Sequence, residues 1–325
     1  MWRSCVTLTL VCVTALHSDD RRQGASVTVG LENNSEQPRR IVNFPMRGIL
    51  PGRHVAVPLA RENLDGLPPV SRYECRRSPE PIWVDGKLDE AVWQRVTWSE
   101  SFVRIVTGDE ASVETRVALL WDEQFLYVGY RVEDPDVRGT MGSYHDHIYM
   151  DDDDVEIFVE GDGYYYELGL NPINNFYELR WTWLENLVRD QRFAEIEQLL
   201  KLDDYLYYTA REGAQLGCVG DLNYHLKGLL TAVSIDGILN QSATADRGWT
   251  VEMALPWSSL QQVAGSRTFP PQAGDMLRMM GYRMRQARDA GPLSENEAST
   301  WGVVGSGNIH IPERWSEVVF SDEDA

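Results

Sequence analysis

The stretch that decides the fold is PIWVDGKLDEAVWQRVTW, residues Pro81 to Trp98. Its apolar run ends in Asp85-Gly86, which predicts a strand followed by a tight turn, because glycine tolerates a positive φ. Asp89-Glu90 then offers a capped start to one short helical turn that buries Trp93. This part of the sequence therefore predicts a strand, a turn and a buried anchor.

Two downstream stretches extend the β pattern, WDEQFLYVGYRVEDPD at residues 121–136 and DDDDVEIFVEGDGYYYEL at residues 151–168. Apolar and polar residues alternate in both, and turn residues separate the alternating runs. Strands are predicted at 81–84, 101–106, 113–121, 125–132, 154–160, 164–170, 176–183, 228–235, 248–255, 275–285 and 315–320. The pattern is typical of an all-β protein, an antiparallel, jelly-roll-like β-sandwich, rather than of βαβ units.

Two segments interrupt the strands. Apolar residues recur among charged ones from Leu184 to Leu202, which predicts an amphipathic helix of about four turns. It lies in an insertion at about 184–224 and is expected either to pack on the sandwich or to act as a partner-binding or lid helix. A short peripheral helix is predicted from Pro256 to Val263, because proline is favoured in a first turn.

Composition limits the possible functions. The chain has 325 residues, 43% of them hydrophobic, and can bury one large or two modest domains. A barrel-type glycosidase of roughly 250 residues would not fit beside a sandwich of this size. The formal charge of −20 disfavours binding to nucleic acid and to anionic lipid surfaces, whereas neutral glycans or cations are compatible with it.

The amino-terminal region differs from the rest of the chain. Residues 1–18 are predicted to be a signal peptide, since Arg3 precedes an apolar run too short to span a membrane. The run lacks a clear cleavage site, so a misplaced start or a tethered anchor stays an alternative to a secreted, cell-surface or periplasmic protein. Residues 19–72 are polar and proline-rich, which predicts an extended linker before a sandwich at 73–325. Cys75 and Cys218 are candidates for one disulfide in an exported protein.

Several blocks resemble carbohydrate-binding module family nine. They include VDGKLDEAVW at 84–93, LLWDEQFLYVGYRVEDP at 119–135 and DDVEIF at 153–158, and the likeness covers roughly Tyr73 to Phe320 in order. Later blocks that follow the family are GYYYELGLNP, GLLTAVSIDGILN, DRGWTVEMALPWSSL and HIPERWSEVVF. The resemblance implies a stand-alone β-sandwich that binds sugars without cutting them, associated with extracellular breakdown of polysaccharides.

The resemblance also implies where a sugar would bind. Family members place one stacking Trp before the acidic strand and another in the loop before the last strand. Here those stretches read HDHIYMDDDDVE and GNIHIPERW, so neither Trp is present. Tyr149 is expected to replace the first platform, and Trp301 or His310 to contribute to the second.

Polar sugar contacts are predicted from the strand pattern. Glu156 matches the Glu of the family's acidic strand, and Glu167 and Asn171 share one face of the next strand. A pyranose needs flat rings together with carboxylates or amides that accept its hydroxyl protons. These side chains are therefore expected to converge on a sugar, although a solvated sheet face would show the same pattern.

The acidic run at 151–154 permits a metal prediction. Calcium takes six to eight oxygen ligands, and family members are known to hold structural calcium, so Asp151, Asp152 and Asp153 are candidate ligands. The alternative is a solvated charge run. No cofactor is expected to be required beyond such an ion, and the oligomeric state is left open.

Two other functions are compatible with the sequence. A glycoside hydrolase would use paired carboxylates, such as Glu156 with Glu167 or Glu252. With 50 acidic residues in the chain, some such pair always exists, so the pattern discriminates poorly. A scaffold or adhesion protein that kept the sandwich and lost the sugar site is the other alternative, and the absent Trp platforms favour it.

Overall fold

The structure is a computed structural model that describes residues 26–31, 40–45, 64, 66–143, 146–199, 202, 205–208, 217–243, 245–288 and 293–325. The predicted signal peptide lies outside these residues. The chain divides into two compact units, one formed by residues 62–181 and 222–325 and the other by residues 1–61 and 182–221.

The larger unit contains the sandwich. Its strands are β3 (Arg72–Arg77), β4 (Val103–Arg104), β5 (Thr115–Trp121), β6 (Phe125–Glu133), β7 (Asp154–Glu160), β8 (Tyr164–Leu170), β9 (Phe176–Trp183, ending at the unit boundary), β12 (Leu230–Asp236), β13 (Gly248–Pro256), β14 (Met276–Arg285), β15 (Glu297–Thr300) and β16 (Ser316–Asp324). Its α-helices are α1 (Ala91–Arg95) and α4 (Trp257–Leu260). Most predicted strands are confirmed, but residues 81–84 form no strand and 101–106 shortens to β4.

The hydrogen-bonded strand order is β9-β8-β7-β14-β16-β3-β5-β6-β13-β12, with β15 and β4 beside β14. Only Arg76 and Arg77 of β3 pair with β5. The sheet divides at this short junction into two layers. We call β9-β8-β7-β14-β16-β3 layer A and β5-β6-β13-β12 layer B. The β16–β3 and β3–β5 pairings are parallel, a departure from the predicted purely antiparallel sandwich.

The two layers face each other across an apolar core. Tyr130 of β6 is fully buried and donates its O–H to the backbone oxygen of Glu156 on β7 at 2.6 Å. A Cβ on Gly281 of β14 would lie 2.8 Å from the Phe102 ring and 3.0 Å from the Tyr130 hydroxyl. Ile157 is the partner of Gly281 in the sheet. Tyr130 and Ile157 therefore point inward, together with every second residue along their strands, and the residues between them point to the outer faces.

The entry motif covers the outer face of layer B. Leu88 and Trp93 pack there so closely that a Cβ on Gly129 would meet them at 2.9 and 3.0 Å. Trp93 is fully buried, as predicted. Glu90 does not cap α1 with its side chain, because its Oε1 accepts the backbone N–H of Trp83 instead. The motif thus forms an ordered cover without forming a strand.

The smaller unit is described in pieces. Strands β1 (Ser26–Leu31) and β2 (Arg40–Pro45) form an antiparallel hairpin inside the segment predicted to be an extended linker. Strands β10 (Tyr205–Tyr208) and β11 (Cys218–Asp221) pair in the same way. The predicted four-turn helix is two short helices, α2 (Leu184–Arg189) and α3 (Phe193–Leu199).

The break between α2 and α3 has a local cause. Gln191 adopts a left-handed φ of 56°, and the backbone N–H groups of Gln191 and Arg192 return to the carbonyls of Val188 and Leu187. This is the hydrogen-bond pattern that ends a helix. The apolar periodicity carried no signal for that break.

The described helices are all short. Among the described residues, none combines the length and the apolar run that a bilayer crossing needs.

Candidate functional site

The candidate site lies on the outer face of layer A, where β7, β8 and β9 run side by side. The register places Glu156 opposite Gly169 and Phe158 opposite Glu167. Because facing residues in a sheet point the same way, Glu156 and Glu167 share this outer face. The structure thus brings together the two carboxylates on which the sugar prediction depends.

Each carboxylate is held by a ring on β9. Tyr177 donates its O–H to Glu156 Oε1 at 2.7 Å, and Trp181 donates its indole N–H to Glu167 Oε2 at 2.5 Å. Tyr177 reaches Glu156 because position 169 is glycine: a Cβ there would lie 2.2 Å from the Tyr177 ring. The rings are placed by strand alternation on β9 and by one missing side chain on β8.

Both carboxylates are almost completely enclosed, with Glu156 4% and Glu167 5% exposed. Burial disfavours the charged form and raises the pKa of Glu167 to about 7, against the bonds from Trp181 and Tyr177, which lower it. Burial also raises the pKa of Glu156 well above its ordinary value, and the neighbouring Asp154 and Glu167 raise it further. At neutral pH this face therefore holds protons that exposed glutamates would have lost.

An aromatic cluster continues the face beyond Glu167. The rings of Tyr165 and Trp181 stack with centroids 5.6 Å apart and an interplanar angle of 9°. His310, in the loop before β16, lies 4.7 Å from Trp181, and its Nδ1 forms a 2.7 Å hydrogen bond with the Tyr165 hydroxyl. Surrounding rings lower the pKa of His310 to about 3 by desolvation, so the imidazole is neutral.

Tyr149 lies at the other end of the face, beside Tyr177. Its ring meets the Tyr177 ring edge-on, with centroids 5.3 Å apart. Tyr149 and His310 are both partly exposed, whereas Tyr177 and Trp181 are buried. A ligand that approaches this face would therefore meet Tyr149 and His310 before it meets the carboxylates.

Asn171 and Trp301 do not belong to this face as predicted. Asn171 is fully buried, and its amide donates to the Met141 carbonyl and to Asp152 while accepting the backbone N–H of Asn175. Trp301 is 5% exposed and packs edge-on against Tyr73 at 5.1 Å. Asn171 closes a loop and Trp301 fills the core, so neither side chain is presented on this face as predicted.

Two carboxylates of the acidic run accept hydrogen bonds from nearby donors. Asp152 accepts the backbone N–H groups of Thr140 and Met141, and Asp153 accepts Arg288 at 2.5 Å and the Gln286 N–H at 2.7 Å. Asp151 is exposed. Within the described residues, no three His, Cys, Asp or Glu side chains are grouped to hold a metal ion. The calcium prediction for Asp151, Asp152 and Asp153 gains no support from this geometry.

The predicted disulfide is wrong. Cys75 and Cys218 are both buried thiols and are not joined to each other. Burial raises the pKa of the Cys75 thiol, which keeps it protonated and unreactive.

Sequence reasoning missed Tyr165, Tyr177 and Trp181, which hold the site together. Tyr177, Leu179 and Trp181 alternate along β9, and all three are buried. That period of two was visible in the sequence and could have placed both rings on one face. That these rings face Glu156 and Glu167 follows only from the position of β9 beside β8 in the sheet, which the sequence does not show.

The fold and this face define an all-β sandwich with enclosed carboxylates among aromatic rings. Comparison with family models supports the class: residues 84–167 match a model described as carbohydrate family 9 binding domain-like. The predicted resemblance to carbohydrate-binding module family nine is confirmed for that part of the chain, which includes Tyr149, Glu156 and Glu167. A comparison with curated proteins found no match.

Three solved structures are similar to this chain, and the one with a TM-score above 0.5 supports the fold. A protein from Bacteroides uniformis, provisionally assigned as carbohydrate-binding, is 14% identical with a TM-score of 0.51, and the match covers 77% of this chain and 99% of that one. A family 9 carbohydrate-binding module from Caldicellulosiruptor kristjanssonii in complex with cellotriose is 13% identical with a TM-score of 0.41, covering 77% and 95%. The same module in complex with glucose is 13% identical with a TM-score of 0.41, covering 77% and 97%. The likeness to the Bacteroides protein confirms the sandwich fold.

Proposed function

We propose that this protein binds a neutral polysaccharide or its oligosaccharide ends, without chemistry, on the outer face of layer A. The observation that carries the proposal is the single contact network in which the partly exposed Tyr149 and His310 flank Glu156 and Glu167. The family match at residues 84–167 and the resemblance in the sequence support it.

The arrangement suits a sugar for physical reasons. The C–H faces of a pyranose pack on flat rings, and its hydroxyl groups donate to carboxylates and ring nitrogens. A formal charge of −20 disfavours acidic glycans and is compatible with neutral ones. Since the rings that the ligand meets first are only partly exposed, the site is shallow, and we expect dissociation constants of about 10 μM to 1 mM.

The proposal includes export to the cell surface, the periplasm or the medium, where polysaccharides are met. It is supported by the predicted signal peptide of residues 1–18 and by the sugar-binding family that the chain resembles. Detection of the mature protein in a secreted fraction, with a new amino terminus near residue 18, would test this part separately.

One observation favours hydrolysis as a second candidate. Glu167 has a pKa of about 7 and lies beside a second enclosed carboxylate, and such a pair can serve as acid and base in glycoside hydrolysis. Glu156 and Glu167 each accept a hydrogen bond from a buried ring and are at most 5% exposed. Hydrolysis needs both groups at the scissile bond, whereas stacking on the partly exposed Tyr149 and His310 does not, so the enclosure favours a binding role.

The binding test uses a glycan array, with and without added calcium, followed by titration of the best oligosaccharide. We expect His310→Ala and Tyr149→Ala each to weaken binding about tenfold, because each removes one partly exposed ring from the face. His225→Ala is the matched control, since its side chain is 56% exposed and hydrogen-bonds Glu178, away from this face. Wild-type protein that binds no glycan would contradict the proposal and favour a scaffold.

The catalytic candidate is tested with the same variants. Release of reducing sugar from the bound oligosaccharide, abolished in Glu156→Gln, would replace the binding proposal by hydrolysis. Binding without release, retained in part by Glu156→Gln, is the result that we expect.

A further inference from the structure

Trp83 stands out among the tryptophans that the structure describes. Its side chain is 77% exposed, whereas the other described tryptophans are buried or half-buried. Among the described residues, no aromatic ring, cation or hydrogen-bond acceptor contacts its indole. An indole that is exposed to this degree offers a flat apolar surface to a ligand.

The backbone beneath Trp83 is firmly held. Its N–H donates to Glu90 Oε1 at 2.9 Å, and its neighbours Ile82 and Val84 turn inward to the apolar cluster under the entry motif. Two residues further on, the N–H groups of Asp85 and Gly86 both donate to Glu252 Oε2, at 2.8 and 2.7 Å. The ring is therefore presented by a fixed extended segment, which lowers the entropy lost on binding.

Polar groups follow the ring in the chain. Asp85, two residues after Trp83, has a side chain that is 34% exposed and forms an ion pair with the exposed Lys87. The pair supplies both acceptors and donors close in sequence to a flat ring, and sugar recognition requires one apolar face and several hydrogen bonds.

This platform is far from the first site in the topology. The entry motif covers the outer face of layer B, where Glu252 of β13 and the cluster around Trp93 lie. Tyr149, Glu156, Glu167 and His310 lie on the outer face of layer A. The two places are on opposite faces of one sandwich, and Trp83 precedes the residues 84–167 that match the family model.

We propose that Trp83 is a second carbohydrate contact, on which a neutral sugar ring of a polysaccharide stacks beside Asp85 and Lys87. This inference rests on the proposed function, and it adds a separate place of contact. Because the two places are on opposite faces, one protein molecule then holds two separate stretches of polysaccharide, and its retention within an insoluble polysaccharide exceeds what the first site alone provides.

The test compares an insoluble polysaccharide identified by the array with a short soluble oligosaccharide of the same sugar. We expect Trp83→Ala to weaken binding to the insoluble polysaccharide about fivefold or more, while affinity for the short oligosaccharide at the first site changes less than about twofold. Ile238→Ala is the control, because Ile238 is another exposed apolar side chain, at 46%. This variant should change neither the binding to the insoluble polysaccharide nor the affinity for the oligosaccharide. Wild-type fluorescence should also lose part of its acrylamide quenching when polysaccharide is added, and Trp83→Phe should lose that change.

Two results would overturn the inference while leaving the proposed function intact. One is a Trp83→Ala variant that binds the insoluble polysaccharide as the wild type does. The other is an equal loss for polysaccharide and oligosaccharide, which would place Trp83 in a single common site. Failure of the wild type to bind any glycan would overturn both proposals together.

Discussion

Each outer face of the sandwich contains a buried glutamate that accepts an indole N–H, yet the two faces use the pair differently. On layer B, Trp93 donates to Glu252 Oε1 at 2.8 Å, and two backbone N–H groups fill the other oxygen. On layer A, Trp181 donates to Glu167 and Tyr177 donates to Glu156, and no backbone N–H of the residues that the structure describes donates to either carboxylate. The hydrogen bond between an indole N–H and a buried glutamate thus stabilises a turn on layer B and positions a cluster of rings on layer A.

The difference follows from what covers each face. The entry motif must turn at Gly86, whose φ is 87° and whose Cβ, if present, would lie 2.6 Å from the Val233 backbone. One oxygen of Glu252 satisfies both N–H groups that this close approach buries, and the other oxygen accepts the Trp93 indole N–H. Layer A carries partly exposed rings at both ends of its network, and its carboxylates are enclosed by side chains, which can move apart for a ligand more easily than backbone can.

The largest effect is expected at Glu252. Replacing it by Ala leaves three buried N–H donors without an acceptor, which should lower the free energy of unfolding by about 3 to 5 kcal/mol. Urea unfolding at pH 7 measures the loss. Glu123→Ala is the control, since that side chain is 72% exposed and should change stability little. A loss below about 1 kcal/mol would show that the turn does not depend on this carboxylate.

The next effect is pH-dependent and belongs to layer A. The folded pKa of Glu167, about 7, lies above the ordinary value of 4.5, so the folded state binds more protons than the unfolded state between these values. Its contribution to stability is present below pH 4.5 and is lost as the pH rises through 7. Relative to wild type, Glu167→Gln should therefore gain about 3 kcal/mol in free energy of unfolding between pH 4.5 and pH 8.

The control for this measurement has the opposite sign. A hydrogen bond from Arg116 lowers the pKa of Glu114, so the stability that this carboxylate contributes is present above pH 4.5 and is lost as the pH falls below it; Glu114→Gln should therefore show no gain between pH 4.5 and pH 8 and should lose relative stability as the pH rises to 4.5 from below. If Glu167→Gln follows the wild-type pH profile, the carboxylate is solvated and the enclosed face described above does not exist in solution.

A smaller effect compares one tyrosine hydroxyl on each face. Tyr177→Phe removes the O–H that Glu156 accepts within the enclosed network and should lower the free energy of unfolding by about 1 to 2 kcal/mol. Tyr127→Phe removes an O–H to Asp122 on layer B, where two backbone N–H groups also bind that carboxylate. We expect Tyr127→Phe to lower the free energy of unfolding by less than half as much as Tyr177→Phe does in the same urea titration. Equal losses would mean that enclosure does not distinguish the two faces.

The sequence predicted layer B better than layer A for a physical reason. The cover of layer B is local: Trp83 to Trp93 lie within one motif, and its turn, its helix and its buried Trp follow from short-range pattern. The sequence suggests Glu252 only as half of a catalytic pair, because nothing in a strand of alternating residues shows which backbone N–H groups will donate to it.

Layer A depends on contacts between distant segments. Alternation placed Glu156 and Glu167 on one face, and the register of β7 against β8 agrees. Asn171 follows the same alternation, but its amide donates a hydrogen bond to the Met141 carbonyl in a loop. His310 lies 145 residues from the Tyr165 to which it bonds, and no local pattern encodes a contact of that kind.

The smallest effect is expected at His310, and it separates the rings of layer A from its carboxylates. With a pKa of about 3, the imidazole stays neutral between pH 5 and pH 8, while Glu167 changes charge within that range. In long-range ¹H–¹⁵N spectra, assigned with His310→Asn, the His310 ring signals should therefore show no protonation step over this range. Any pH dependence of sugar affinity should then disappear in Glu167→Gln and persist in His310→Asn. A protonation step near pH 6.5 at His310 would mean that the neighbouring rings do not desolvate the imidazole, and that the packing of Tyr165 and Trp181 against it is not formed in solution.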